Sequence, residues 1–396
     1  MTKNMKKSVL NGKTLVAAAI VAALIVAIAV GAVVLERAQQ SGREAELTEQ
    51  GERLRASMWT DENTVLIDDT LYGFDHRLET FLFVGTDNSG SGDSDPAHYR
   101  GPMADFLLLM VLDHTNNTIG YLQIDRNTVT EVNELDFKGN VLETRELQIC
   151  TAHWYGRSPE LSAENTVNAV KAYLGDLENI DGYFVINMDD IGHLNHTVGG
   201  VEVTIEDDLD AADPTLAKGQ TLVLDDSQAE HFLRARMNVG KGENAERMAR
   251  QRQYMASFFE KVKEKTMENP KFGIDLWNML KDVSVSNMNG NDFSRIAQKL
   301  LKGENKGIHT IKGETKLGYI LEDGVEHEEF YPDMDSLRDE MIDMFTLVPI
   351  AEDEETEDPD DDEGEDTALE DLDEEDEDED DEGLDDEYED TDEEEA

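Results

Sequence analysis

The chain has almost no cysteine and little positive charge. Its one cysteine in 396 residues, Cys150, allows no intramolecular disulfide and no cysteine-rich zinc site. We expect Cys150 to be a small buried apolar residue. Lysine and arginine number 34 against 91 acidic residues, which gives a net charge of −57. Because duplex binding depends on neutralising phosphates with basic side chains, this balance argues against a nucleic-acid partner. The P-loop, GxSxG and HExxH motifs are also absent from the sequence.

The acidity is concentrated at the C-terminal end. Residues 352–396 contain 33 acidic and no basic residues, so taking their −33 from −57 leaves −24 for residues 1–351. Runs of like charge repel each other and bury too little apolar surface to fold. We therefore predict a disordered acidic tail over 348–396, with solvation of the terminus as its simplest role.

The one long hydrophobic run lies near the N-terminus. Residues 15–35 are 21 residues without a charge, enough for a helix to span a bilayer. A cleaved signal peptide would have a shorter apolar core and a small-residue cleavage site, whereas Glu36 and Arg37 follow this run. Lysines before the run favour a cytoplasmic N-terminus. We predict a cytoplasmic segment 1–13, a transmembrane helix 14–35 and an extracellular stalk 36–70.

The remaining sequence alternates between apolar strand patterns and helical patterns. Strands are predicted at 78–84, 106–113, 118–124, 182–188 and 201–205, with a hairpin or edge strands at 307–311 and 316–320. Helices are predicted over most of 141–175, and at 189–198, 227–233 (capped by Asp226 or Ser227), 275–283, 292–301 and 336–345. Asn244 can cap a further helix of about 20 residues. This order predicts a single α/β (α+β) domain over 71–347, with a central mixed β-sheet flanked by helices.

Five arginines are crowded into residues 233–254 of this acidic chain: Arg234, Arg236, Arg247, Arg250 and Arg252. Arginine presents a rigid fork of donors suited to phosphate or carboxylate. The two-residue spacing of the first pair implies that a helix ends there. Arg247 and Arg250 share one face of the following helix, whose N-terminus favours an anion, and Arg252 points elsewhere. The stretch predicts half of a phosphate site.

Two acids and one further arginine complete the predicted site. Asp87 ends one predicted strand and Asp105 opens the next. If these strands are antiparallel neighbours, both acids lie at the same edge of the sheet, and Arg126 joins them after the third strand. Two carboxylates can hold a hard cation such as Mg²⁺. A metal facing several guanidinium groups would neutralise a pyrophosphate during phosphoryl transfer.

Several segments, taken together in this order, resemble the LytR–CpsA–Psr family of cell-wall glycopolymer transferases. They are FLFVGTD (81–87), MADFLLLMVL (103–112), GYLQIDRNTVTEV (120–132), the segment 181–205 and the segment 225–254. The resemblance implies a membrane-anchored enzyme outside a Gram-positive-type cell. Such enzymes move a teichoic acid or capsular polysaccharide from an undecaprenyl-pyrophosphate carrier to peptidoglycan.

The resemblance also implies roles for individual residues. Asp87 and Asp105 match the family's metal-associated acids, for Mg²⁺ (or Mn²⁺), and with Arg126 they form the implied catalytic set. Pyrophosphate binding is implied for the residues Arg126, Arg234, Arg236, Arg247, Arg250 and Gln251. An apolar channel would take the lipid tail.

Two positions depart from the family pattern. Met103 stands where the family usually has an arginine, and Arg100 either replaces it in binding pyrophosphate or belongs to the loop. Asn127 stands where the family has an acid, so Asp125, Asp87 or Asp105 would serve as the base. The main hypothesis is therefore a glycopolymer–peptidoglycan phosphotransferase. The alternative, favoured by Asn127, is a non-catalytic lipid-pyrophosphate-binding or regulatory protein of the envelope.

Overall fold

The computed structural model describes residues 64–67, 70–73, 77–88, 90, 98–175, 177, 180–236, 239 and 244–350. The predicted cytoplasmic segment, transmembrane helix and most of the stalk and acidic tail lie outside these ranges. None of the helices in the described ranges combines the length and apolarity needed to cross a membrane.

The described chain contains fifteen strands and eight α-helices. The strands are β1 Thr64–Ile67, β2 Thr70–Gly73, β3 Leu78–Thr86, β4 Ala104–Asp113, β5 Thr118–Ile124, β6 Val129–Leu135, β7 Val141–Gln148, β8 Gly182–Asn187, β9 Glu202–Thr204, β10 Thr221–Val223, β11 Ser284–Ser286, β12 Glu304–Thr310, β13 Gly313–Gly318, β14 His327–Pro332 and β15 Val348–Pro349. The helices are α1 Thr151–Trp154, α2 Pro159–Tyr173, α3 Ile191–Val198, α4 Asp226–Arg234, α5 Asn244–Glu268, α6 Phe272–Leu280, α7 Gly290–Lys302 and α8 Met334–Met344.

Six strands form the central mixed sheet, in the order β11-β8-β3-β4-β5-β12. The middle strands β3, β4 and β5 are antiparallel neighbours. Strand β8 runs parallel to β3, and β12 runs parallel to β5. The predicted mixed sheet is therefore confirmed, and the three strands that carry the predicted acids and Arg126 lie at its centre.

The sheet is buried on both faces because β4 is apolar at nearly every position. Leu108 and Met110 pack with helices α3 to α7 on one face. Leu107 and Leu109 pack with α1, α2 and α8 on the other. A continuous apolar run, unlike an alternating one, is typical of a strand covered on both sides. The domain is thus a three-layer arrangement of helices, sheet and helices.

The prediction of helix over 141–148 is wrong. These residues form β7, which pairs antiparallel with β6 from Val129↔Gln148 to Leu135↔Val141. Leu, Glu and Arg in this segment favour a helix locally, but cross-strand pairing overrides that weak preference. Strand β14 was not predicted either, and β13 pairs with it rather than with β12.

The helix boundaries agree with their capping signals in the sequence better than the strands agree with their predictions. The N-cap of α4 is Asp225, one residue before the first predicted cap, Asp226. Asp225 forms a capping box with Gln228. As predicted, α4 ends at Arg234, and α5 begins at Asn244 and continues for 25 residues. Strands β1 and β15 lie just outside the predicted domain bounds of 71–347, and both pair with β2.

Arg250 joins α5 to the end of α4. Its Nε donates to the Phe232 carbonyl at 3.0 Å and one terminal nitrogen donates to the Ala235 carbonyl. The other terminal nitrogen lies 2.5 Å from Asp207, and only 5% of the side chain is exposed. These contacts satisfy carbonyls that the end of α4 leaves without intrahelical partners.

We expect Arg250→Met to lower the free energy of unfolding by about 3 kcal/mol, since it leaves the partly buried Asp207 carboxylate and two carbonyls unpaired. Urea unfolding of the detergent-solubilised chain measures this. The matched control Arg295→Met removes a half-exposed guanidinium paired with Glu79 and Asp292. It should cost about 1 kcal/mol or less. Equal effects of the two changes would contradict a structural role for Arg250.

Candidate functional site

The antiparallel order brings Asp87, Asp105 and Arg126 to one edge of the sheet, where β3 and β5 end and β4 begins. Thr86 pairs with Ala104 across β3 and β4, so the two acids follow this pair on adjacent strands. Arg126 Nε lies 3.1 Å from Asp105 Oδ1. The edge predicted from the sequence is therefore present, and it is held by an ion pair.

Backbone contacts fix Asp87 at this edge. Its amide donates to the Met103 carbonyl at 3.1 Å, and its Oδ1 accepts from the Met103 amide at 3.0 Å. Its own carbonyl accepts from Asn187 Nδ2, at the end of β8, at 3.0 Å. Asp87 is thus tied to both strands that flank β3.

Asp105 lies between two arginines. Besides the contact with Arg126, its Oδ2 accepts from an Arg247 terminal nitrogen at 2.8 Å. Arg247 also donates to Asn244 Oδ1 at 2.8 Å, and only 4% of its side chain is exposed. Asp105 Oδ1 is buried, and its 3.1 Å ion-pair contact with Arg126 Nε lacks hydrogen-bond geometry.

The arginine cluster carries more positive charge than Asp105 balances. Burial lowers the pKa of Arg247; Asp105 opposes this, and the nearby charges of Arg126 and Arg236 lower the pKa further. Three guanidinium groups therefore share one neighbourhood. An anion bound among them would reduce this repulsion at Arg247, so the arrangement is compatible with an anionic ligand.

Two sulfur atoms hold Arg126 on its other side. One of its terminal nitrogens donates to Met103 Sδ at 3.2 Å and to Cys150 Sγ at 3.0 Å. Cys150 is buried, as predicted, and burial raises the pKa of its thiol. Burial alone would lower the pKa of Arg126. Its neighbours Cys150, Asp105 and Asp87 act in the opposite direction and more strongly, so the pKa of Arg126 is raised. Because the thiol is neutral near pH 7, Asp105 and Asp87 are the charges that keep Arg126 protonated.

Arg236 is paired with an acid from a distant part of the chain. One of its terminal nitrogens lies 2.8 Å from Glu328 Oε2, on β14. Asn127 Nδ2 lies 3.4 Å from the same oxygen. Sequence reasoning missed Glu328, because β14 was not predicted and nothing local distinguishes this glutamate from many others.

Asp125 and Asn244 link the start of α5 to the end of β5. Asp125 Oδ1 accepts from Asn244 Nδ2 and from the Asn127 amide, both at 2.8 Å. Burial raises the pKa of the Asp125 carboxyl. Asn244 therefore does more than begin a helix, since it also contacts Arg247.

The other predicted site residues have separate partners. Arg234 lies 2.5 Å from Asp189 and 2.7 Å from Glu230, at the more exposed end of α4. Arg250 binds the end of α4, as described above. Arg100 donates to the Tyr99 carbonyl at 3.0 Å. The structure thus gathers Arg126, Arg236 and Arg247 and places these three other arginines apart, and the pyrophosphate role of all six arginines stays a prediction.

An apolar cavity lies between the sheet and helices α3 to α7. Its space amounts to about 960 Å³ when open solvent at the mouth is included, and it is lined by side chains such as Phe83, Phe106, Phe184, Tyr254, Phe258 and Ile296. Gln251 is the one amide side chain in this lining. Its Oε1 accepts from Gln123 Nε2 at 3.3 Å, and its own Nε2 is buried without a hydrogen-bond partner.

Gln251 connects the cavity to the arginine cluster, since it lies one turn along α5 from Arg247. A largely apolar pocket with a few convergent polar groups is typical of a ligand site. The arrangement suits a ligand with a long apolar tail and an anionic head.

The acids at this edge are compatible with a hard cation. Across the described residues, no group of three or more His, Cys, Asp or Glu side chains could hold a metal ion by itself. Mg²⁺ is commonly held by one or two carboxylates together with substrate phosphates. Asp87 and Asp105 supply two carboxylates, and the buried Asp105 Oδ1 lacks a hydrogen bond. These residues therefore fit Mg²⁺ when a phosphate supplies further ligands.

His153 lies close to this edge without entering the arginine cluster. Its Nδ1 donates to the Pro102 carbonyl at 2.8 Å, because a carbonyl can only accept. Burial lowers the pKa of His153 to about 4, so the ring is neutral near pH 7. His153 is therefore a neutral, hydrogen-bonded histidine buried beside the site.

Solved structures share this fold. Protein gbs0355 from Streptococcus agalactiae aligns with a TM-score of 0.54 at 18% identity, covering 69% of this chain and 89% of its own. TagV of B. subtilis aligns at 0.53 and 18% identity, covering 69% and 100%. TagT bound to LI-WTA aligns at 0.50 and 17% identity, covering 73% and 98%. A search of curated protein sequences returns no match.

The sequence itself identifies the family. The sequence model of the LytR_cpsA_psr family matches residues 50–367, which include the central sheet, the arginine cluster and the apolar cavity. The chain belongs to the LytR_cpsA_psr family.

Proposed function

We propose that this protein is a membrane-anchored extracellular phosphotransferase of the cell wall. It moves an anionic glycopolymer, of the teichoic acid or capsular polysaccharide type, from a polyprenyl-pyrophosphate carrier to peptidoglycan. One observation carries the proposal: an apolar cavity adjoins a cluster of three arginines through Gln251. Family membership supports it, as does the similar fold of TagT bound to LI-WTA, a wall teichoic acid.

The carrier's two parts correspond to the two parts of the site. The polyprenyl tail enters the cavity between the sheet and α5. The pyrophosphate lies against Arg126, Arg236 and Arg247, with Gln251 Nε2 as a further donor. Arg234 and Arg100 bind the outer part of the headgroup, and Arg250 acts by holding α5 in place.

Asp87 and Asp105 would hold Mg²⁺ (or Mn²⁺), which would neutralise part of the pyrophosphate charge. In the reaction, a peptidoglycan hydroxyl attacks the phosphate next to the polymer's first sugar. A new P–O bond forms, and the P–O bond to polyprenyl phosphate breaks. Arg126, Arg236 and Arg247 stabilise the negative charge that develops on the phosphate oxygens.

A second candidate function is binding of lipid pyrophosphate without transfer. Asn127 favours it, because an amide cannot accept the proton of an attacking hydroxyl. Incubating the purified chain with carrier-linked polymer and peptidoglycan separates the two functions. Recovery of bound, unchanged carrier after long incubation would support the binding function over the transferase.

We expect Arg247→Met to lower the transfer rate by about 100-fold or more, because it removes a buried donor to the pyrophosphate. The measurement is release of polyprenyl phosphate by the detergent-solubilised chain, with circular dichroism to confirm folding. Arg295→Met, on the exposed face of α7, serves as the matched control and should keep the wild-type rate. An unchanged rate in the Arg247 variant would refute the assigned site.

Chelation tests the metal separately. EDTA should abolish transfer, and added Mg²⁺ or Mn²⁺ should restore it, because two carboxylates beside a pyrophosphate need a cation to offset their repulsion. Asp105→Asn should raise the Mg²⁺ concentration needed for half-maximal rate. Full activity in EDTA would remove the metal from the mechanism.

A further inference from the structure

The C-terminal hairpin β13–β14 delivers one carboxylate to the arginine cluster. Glu328 Oε2 lies 2.8 Å from Arg236 and 3.4 Å from Asn127 Nδ2. The neighbouring backbone is fixed: Gln148 Nε2 donates to the Glu328 carbonyl at 2.6 Å, and the Phe330 amide donates to the Asn127 carbonyl at 2.8 Å. The position of this carboxylate is therefore set by contacts to β7 and to the end of β5.

The other acids of the cluster are more firmly engaged. Asp105 is held between Arg126 and Arg247, with 10% of its side chain exposed. Asp125 accepts hydrogen bonds from Asn244 and from the Asn127 amide. Glu328 pairs with one arginine, itself 27% exposed, and keeps 22% of its own side chain in contact with solvent. Of these carboxylates, Glu328 can most easily give up its pairing with Arg236 to a ligand. Its exposure also lets it exchange a proton with water.

We propose that Glu328 is the proton-accepting catalytic residue of the transfer reaction. The inference rests on the proposed function. The acceptor O–H bond breaks, and its proton passes to Glu328 as the oxygen forms the new P–O bond. The P–O bond to the carrier breaks, and polyprenyl phosphate leaves with the electron pair. Glu328 then releases the proton to solvent.

Substrate binding itself prepares Glu328 for this role. When a phosphate takes the Arg236 donor, Glu328 loses its cation and faces an anion instead. A carboxylate beside a like charge takes up a proton more readily than one beside an arginine. Asn127 continues to donate to the Glu328 carboxylate and keeps it oriented. If Glu328 is the base, the amide at position 127 therefore serves to position it.

The test compares Glu328→Gln with Glu326→Gln in the full chain. Glu326 is an exposed acid two residues earlier, so it controls for loss of one charge. Two quantities are measured: the transfer rate from pH 4 to 8, and equilibrium binding of undecaprenyl pyrophosphate. We expect Glu328→Gln to lower the rate by about 100-fold or more and to flatten its rise with pH. Binding should stay equal or become tighter, since a competing carboxylate is removed.

Chemical rescue gives a second, independent readout. Glu328→Ala leaves room for a small carboxylate, so added formate should restore part of its transfer rate and leave Glu326→Ala unchanged. A purely structural role for Glu328 predicts no rescue.

Three results would overturn the inference. The rate of Glu328→Gln could match that of Glu326→Gln, or the variant could lose lipid binding along with rate, which would make Glu328 a positioning residue for Arg236. Formate could also fail to rescue a folded Glu328→Ala. Each of these would leave the proposed function standing if the wild type transfers polymer. A wild-type chain that binds carrier but never transfers it would overturn both.

Discussion

The site depends on one buried carboxylate that is shared by two arginines. Asp105 brings Arg126, at the end of β5, and Arg247, in the first turns of α5, to the start of β4. Removing charges from water is costly, and such a group is stable only when its partners are held in place. The central strands and the packing of α5 provide that rigidity. Arg236 adds a third cation nearby, and together with Arg126 it lowers the pKa of Arg247, which Asp105 opposes.

Helix α5 unites the charged and apolar parts of the site. Its residues Arg247, Gln251, Tyr254 and Phe258 are spaced by four, three and four positions, so they form one stripe along the helix. The stripe begins with a guanidinium at the arginine cluster and continues as aromatic lining of the cavity. A single element thereby fixes the distance between an anionic head and an apolar tail. That constraint suits an amphiphilic ligand.

Charge within the cluster is balanced by groups that can be exchanged. Glu328 occupies a donor of Arg236, and Asp189 with Glu230 occupies Arg234. Each of these pairs is partly exposed, so an incoming phosphate can replace the carboxylate at modest cost. Arg250 differs, because its three bonds are to the end of α4 and to Asp207, where they support the helix. Arginines close in sequence thus serve two different purposes.

The sequence by itself determined most local elements and placed Asp87, Asp105 and Arg126 at strand ends. Apolar runs gave β3, β4 and β5, and the spacing of Arg234 and Arg236 marked the end of α4. The antiparallel order that brings Asp87, Asp105 and Arg126 together was assumed as a condition, and the structure meets it. The strands, the helix end and the strand-end positions follow from hydrophobic periodicity and residue spacing, which depend only on residues close together in the sequence. Only the tertiary structure decided the remainder: the strand at 141–148, the sulfur atoms that hold Arg126, the role of Arg250 and the arrival of Glu328. Glu328 is 92 residues from Arg236 and 201 from Asn127, and contacts at such separations depend on strand register and packing, for which local propensity carries no signal.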